Sequence, residues 1–195
     1  MSAAPAAIAR PRHAASLVLI RRAAAGPQIL MGKRPRKSRF APDVFVFPGG
    51  GVEAGDYAAQ PIRPLDPDCA RKTGASPLLA EALAAAALRE TAEETGLRLP
   101  SDHGALKLLA RAITPTNSPI RFHARFFMTE VETADTDHAD SHELTDLAFR
   151  AIDEALALPL MDVTQAMLGA LSRSADAQPF LWAYRRGKPY QRVLV

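Results

Sequence analysis

The chain has 195 residues, 48% hydrophobic and 23% charged, a composition that suits a globular domain with a sizeable core and excludes a disordered segment. A net charge of +3 is too small to argue for nucleic-acid binding, which calls for a basic stripe on a recognisable module. One cysteine, Cys69, rules out an intramolecular disulfide and fits a reducing, cytoplasmic setting, and no apolar run approaches a signal peptide or the ~20 residues of a membrane span.

Residues 1–13 carry two prolines and no period, and read as a loose tail ahead of one domain over 14–195. SLVLIRR (16–22) and QILMGKR (28–34), joined by a Gly-Pro turn, predict a hairpin. KRPRKSR, Lys33 to Arg39, places five cations in seven positions: either a solvated loop or a loop that faces phosphate. DVFVFP (43–48) predicts a short strand, and the glycines that follow it, between Gly49 and Gly55, let backbone approach a ligand closely. Residues 57–75 hold three prolines and no usable period, and read as an inserted loop. Ser76-Pro77 pairs an N-cap residue with proline at N1, so a helix is expected from there to Gly96.

Further on, ALKLLARAIT (105–114) and IRFHARFFMTEVE (120–132) predict strands, and 133–142 an acidic loop. TDLAFRAI reads as a strand, DEALAL and VTQAMLGALSRS as helices, and PFLWAYRRGKPYQRVLV as a closing hairpin. Strands and helices interspersed with hairpins and crossovers imply an α/β fold, a mixed sheet with helices on its faces.

The most informative stretch is ALRETAEETGL (87–97), with three glutamates in five positions. At 100° per residue, Glu93 and Glu94 lie about −60° and +40° from Glu90, so all three share one arc of about 100°. Ala84, Leu88, Thr91 and Thr95 fall on a separate face, and Arg89 can pair with Glu93 at i+4. A solvated helix face is the ordinary explanation of such a cluster. Against it, Glu90 and Glu94 repel at i, i+4, and all three stand near the helix C-terminus, where the dipole disfavours anions. A hard divalent cation such as Mg²⁺ would relieve both costs.

PGGGVEAGD (48–56) together with RETAEETGL (89–97) resembles the Nudix box, whose pattern is Gly, five residues, Glu, seven residues, then Arg-Glu-apolar-any-Glu-Glu-any-Gly-apolar. Gly50 matches the first glycine, and Arg89, Glu90, Glu93, Glu94, Gly96 and Leu97 fill the second half. Asp56 stands where the first Glu is expected, Thr91 takes an apolar place, and residues 57–88 occupy the seven-residue gap, an insertion of about 25 residues. That insertion is similar to the long-insertion branch that includes CoA diphosphatases.

The resemblance implies an α/β/α sandwich around a mixed sheet and Mg²⁺- or Mn²⁺-dependent hydrolysis of a nucleoside diphosphate linked to another group. It implies Glu90, Glu93 and Glu94 as metal ligands, with Glu93 alternatively the base that orients water, and a carbonyl of Gly49 or Gly50 completing the shell. Arg89 would hold the acidic cluster in place, Glu53 and Asp56 would stand behind it, and Glu143 would supply a further catalytic carboxylate from a later loop, with Glu130 and Glu132 as rivals. Substrate phosphates call for arginine. Arg34 and Arg39 precede FPGG, and Arg121 shares a strand face with His123. Phe47, like Phe45, Phe126 and Phe127, is either core or a platform for a base.

The CoA-type pattern ahead of FPGG is met at Arg39 but has Asp43 in place of its Gly, so NADH and ADP-ribose stand beside CoA as candidates. The expected partner is a small nucleotide diphosphate, not nucleic acid or membrane, and a homodimer is compatible. Two alternatives stay open: a nucleotide-binding or regulatory protein of the same fold without turnover, and a prenyl-diphosphate isomerase, which would need a catalytic Cys where only Cys69 is on offer.

Overall fold

A computed structural model describes residues 8–59, 65–99, 105–132, 138–174 and 176–195. Residues 1–7, 60–64 of the insertion, 100–104, the first half of the acidic loop (133–137) and residue 175 lie outside the described residues.

Among the described residues nine strands form one mixed sheet: β1 (Arg12–Ala23), β2 (Gly26–Lys33), β3 (Phe45–Val46), β4 (Gly49–Gly51), β5 (Lys107–Ile113), β6 (Phe122–Val131), β7 (Thr145–Ala151), β8 (Phe180–Arg185) and β9 (Lys188–Val193). The same residues form the helices α1 (Pro67–Lys72), α2 (Pro77–Thr95), α3 (Ile152–Leu156) and α4 (Asp162–Arg173). The strand order is β3-β2-β1-β6-β5-β8-β9, with β4 added to β1 and β7 to β2. β1 runs parallel to β6 and β5 parallel to β8, and every other pair is antiparallel.

The central strands read as continuous apolar runs because both faces of the sheet are covered. Along β1 the period of two sends Leu17 and Leu19 to one core, shared with Leu83, Ala86 and Ala87 of α2. Val18 and Ile20 go to the other, shared with Met167, Leu168 and Leu171 of α4. The result is the α/β/α sandwich expected from the sequence. No described helix is long and apolar enough to cross a membrane.

Helix α2 starts and stops where its sequence signals lie. Ser76 accepts the Leu79 N–H at the N-cap, Pro77 occupies N1, and Gly96 ends the helix at φ 76°, a left-handed conformation that glycine adopts without a Cβ clash. Its alanines let it lie close against β1. Thr91, in the apolar place of the box, is 1% exposed and turns its hydroxyl back onto the Ala87 carbonyl at 2.7 Å; Thr95 does the same to Thr91 at 2.6 Å.

The insertion is not a plain loop, because it carries α1. Asp66 caps that helix by accepting the N–H groups of Asp68 and Cys69, and Pro67 is at N1, the same start signal as Ser76-Pro77. Six residues are too few to display a helical period, so the pattern hides it. Cys69 sits on the buried side of α1, where burial pushes its thiol up to about 11, which removes it as a thiolate nucleophile.

Leu83→Ala deletes a fully buried anchor between α2 and β1 and is expected to cost about 2–5 kcal/mol, read as a lower urea midpoint with unchanged m-value.

Candidate active site

Strand β1 exchanges neighbours along its length, pairing Ala14–Ser16 with β4 and Ile20–Ala23 with β2. The gap between those partners admits the glycine strand. Gly49, Gly50 and Gly51 there line a cavity of about 440 Å³ together with Glu90, Glu94 and Glu143.

The close approach explains the glycines. A methyl group at Gly49 would overlap backbone of β1, and one at Gly50 would overlap the Glu90 carboxylate. The Gly49 N–H donates to Glu94 Oε2 at 2.8 Å, fixing that carboxylate against the strand. Glu94 is 4% exposed, so the acidic face is not the solvent-facing cluster that its charge suggests.

Arg89 joins the two halves of the box. Its Nε and Nη2 donate to the two oxygens of Asp56 at 3.0 and 3.1 Å, and Nη2 also donates to the Gly51 carbonyl at 3.0 Å. Nη1 lies 3.0 Å from both Glu90 Oε1 and Glu93 Oε2. Asp56 is buried, and its Oδ2 accepts the Glu53 N–H at 2.7 Å, closing the 3₁₀ turn Ala54–Tyr57. The shorter acid in the place of Glu thus faces Arg89, while Glu53 is exposed.

Ligand oxygens of Glu90, Glu94 and Glu143 all lie within 4.8 Å of one another. Glu143 arrives from the loop before β7, where its N–H and that of Leu144 donate to Ser141 Oγ. Glu93, the third member expected from the sequence, is not in this group. Its offset on the helix turns it away from β4 to the exposed side, where it pairs with Arg89. Glu130 is engaged with Arg22 on the surface, Glu132 is exposed, and neither joins the group.

Burial is the chief reason that Glu94 is pushed up to about 7, reinforced by the charges of Glu90 and Glu143 and opposed by the Gly49 N–H and Arg34. Glu90 is raised as well, by burial first, against the pull of Arg89.

Of the five cations in Lys33–Arg39, only Arg34 lines the cavity, with its Nε held by the Phe40 carbonyl at 3.0 Å. Arg39 is exposed and does not line the cavity, because the loop turns outward at Pro35–Ser38. Asp43, at the Gly place of the CoA-type pattern, adopts φ 59°, a left-handed conformation that Asp tolerates. Arg121 also stays outside. Its guanidinium donates to the carbonyls of Thr114 and Ala9 at 3.1 and 2.7 Å, and strand parity presents Phe122 to the cavity in its stead. Phe47 is 3% exposed, packs edge-on to Phe126 and forms part of the cavity wall. His138 meets Phe149 edge-on and His142 is exposed beside Glu143.

The far end of the cavity went unread in the sequence. Trp182 and Tyr184 on β8 reach it together with Asp162 of α4; the Tyr184 hydroxyl donates to Asp162, and the Trp182 indole donates to Tyr184 at 3.4 Å. A period of two puts Trp182 and Tyr184 on one strand face, but only the sheet order says what that face meets.

A mixed sheet between helices, with a glycine strand and an Arg-Glu helix closing on an acidic cluster, defines the class of Nudix-fold proteins. Among solved structures, the chain is similar to a Nudix hydrolase from Alicyclobacillus acidocaldarius, at 25% identity over 88% of this chain and 95% of that one, with a TM-score of 0.70. It is also similar to a C. elegans Ap4A hydrolase (17% identity, 83% and 96% covered, TM-score 0.55) and to a MutT protein from Methanosarcina mazei Go1 (18%, 86% and 99%, 0.55). No family model and no curated protein sequence matches the chain. The chain therefore has the fold of the Nudix hydrolases.

The raised Glu94 carboxyl sets a pH dependence. Between its ordinary value of 4.5 and about 7 the folded chain holds a proton that the unfolded chain releases, so metal-free stability falls as pH rises through that window. Urea denaturation with a chelator present should give a lower midpoint at pH 8 than at pH 5, and Glu94→Gln should flatten most of that slope.

Proposed function

We propose that the chain is a divalent-cation-dependent hydrolase that cleaves the diphosphate linkage of a nucleoside diphosphate derivative. The observation that carries this reading is the convergence of Glu90, Glu94 and Glu143 within 4.8 Å at the glycine-lined end of a cavity large enough for a nucleotide. Three carboxylates, of which Glu90 and Glu94 have their proton affinity raised by burial first, with no His or Cys among them, fit Mg²⁺ or Mn²⁺ better than a transition metal of the thiolate or imidazole kind.

Glu90, Glu94 and Glu143 would hold the ion, with Gly50 packed against Glu90. Such an ion supplies neutralisation of the diphosphate charge and activation of water. Arg89 keeps Glu90 ionised and in place, and itself touches no substrate. Glu143, the exposed member of the three, is the proposed acceptor of the proton from the attacking water, a role for which Glu93 is turned the wrong way. Arg34 is the proposed clamp on a substrate phosphate, and the aromatic end with Phe122 and Trp182 the platform for a base. Of the candidates, CoA, NADH, ADP-ribose and diadenosine polyphosphates share the diphosphate and the adenine that these two ends call for.

The test is nucleotide or phosphate release from that panel with Mg²⁺ or Mn²⁺. Glu94→Gln should lower kcat at least ~10²-fold with the fold intact, whereas Glu93→Gln should stay within about tenfold of the native rate. Full activity in Glu94→Gln overturns the assignment, and tight binding of one nucleotide without turnover by the native chain would make the protein a binder.

A further inference from the structure

On the face of the sheet opposite the cavity, five basic side chains stand together under α1 and α2. Arg125 of β6 and Arg111 of β5 are direct cross-strand partners. Arg111 pairs onward with Leu181 of β8, and Leu181 with Arg192 of β9. Directly paired residues share a face, so one row carries three guanidinium groups with only Leu181 between them. Two positions back along β6, His123 is the partner of His13 on β1, with their rings 6.1 Å apart.

No ion pair with an Asp or Glu is made by any of the five among the described residues. The charges that perturb them are one another's: Arg192 acts on Arg111, Arg111 on Arg125, and both Arg125 and Arg111 on His123. Burial and these neighbours push His123 down to about 3 and Arg125 down to about 10. Both histidines are therefore neutral near pH 7, since His13 is lowered too, and the excess charge is that of three arginines.

Arg125, 1% exposed, is spent on the fold: its Nε donates to the Thr73 carbonyl at 3.1 Å and Nη1 to the His123 carbonyl at 2.8 Å, tying the α1–α2 corner to the sheet. Arg111 is not. Its Nη2 has His123 Nε2 at 3.5 Å, and its Nε is buried with no hydrogen-bond partner. Its guanidinium lies against bare backbone at Gly74, where any Cβ would overlap it. Arg192, at the outer end of the row, is exposed. Like charges directly opposite one another destabilise a sheet, and a buried donor without a partner adds to that cost. An anion seated at the Arg111 guanidinium, between it and Arg192, would offset the like charge.

We propose that Arg111 and Arg192, backed by Arg125 and His123, form a binding site for a phosphate-class oxyanion at the seam between the sheet and the insertion. Three guanidinium charges call for a polyvalent anion, and the forked donors of arginine match tetrahedral phosphate oxygens. A monovalent carboxylate would offset one charge and leave two. The site is separate from the cavity and does not depend on the hydrolase reading.

The test is the thermal midpoint of the full chain with a chelator present. Inorganic phosphate at about 10 mM should raise it by about 3 °C over sodium chloride of equal ionic strength. Arg111→Gln and Arg192→Gln should each remove at least half of that shift, and in phosphate-free buffer Arg111→Gln should melt no lower than the native chain, because it relieves a like-charge contact. If Arg111→Gln does not fold, the exposed Arg192→Gln carries the comparison. AMP giving the same shift as phosphate assigns the site to a phosphomonoester end, and AMP giving none assigns it to the free ion. An equal shift in chloride, or a shift retained in both variants, overturns the proposal.

Discussion

The contact on which the site depends is the ion pair between Arg89 and Asp56. Asp56 is nearly sealed from solvent, with a side chain 3% exposed, and Arg89 meets both of its oxygens. A buried carboxylate is tolerable only when paired, and removal of one partner from such a pair typically costs about 3–5 kcal/mol. This pair spans the insertion. It binds the turn after β4 to the middle of α2, although 32 positions separate them in the chain. The Gly51 carbonyl on the same guanidinium sets how near the glycine strand can come, and hence where Glu90 and Glu94 meet backbone. Insertion length is then nearly free to vary, because loop closure grows slowly in cost with length and the two ends are held by this contact.

The two faces of the sheet carry opposite charge problems. On one side, carboxylates accumulate against the glycine strand and are desolvated together, so the deepest holds its proton up to about 7. On the other, arginines line up across β6, β5 and β9 and, among the described residues, make no ion pair with an acid. Each arrangement lowers the stability of the empty fold, and each is relieved by an ion of the opposite sign. The strand period of two keeps them apart: Ala112 faces the cavity while Arg111 faces the insertion, and Ala124 and Arg125 divide in the same way.

Much of the fold was legible. The strand of apolar residues around Leu17–Ile20, the Ser76-Pro77 start and Gly96 stop of α2, and the Arg-Glu pattern of the box are local signals, and local physics decides them. The short helix α1 was missed despite its Asp66-Pro67 start, since six residues show no period. Arg121 and Arg39 were expected near phosphate because of their charge alone; one is satisfied by two backbone carbonyls and the other turns to solvent. Glu93 shares an arc with Glu90 and Glu94 on a helical wheel, yet a strand covers only part of that arc. Trp182, Tyr184 and Asp162 had no signal beyond strand parity and a helix start.

The sequence by itself determined the elements, the acidic helix end and the glycine run beside it, because capping, periodicity and backbone freedom act over a few residues. Tertiary structure alone decided that Glu143 meets Glu90 and Glu94 while Glu93 turns aside, and that an aromatic end lies across the cavity. Those outcomes depend on strand order and on how closely one backbone can pass another, and neither distance is written in any single stretch of chain.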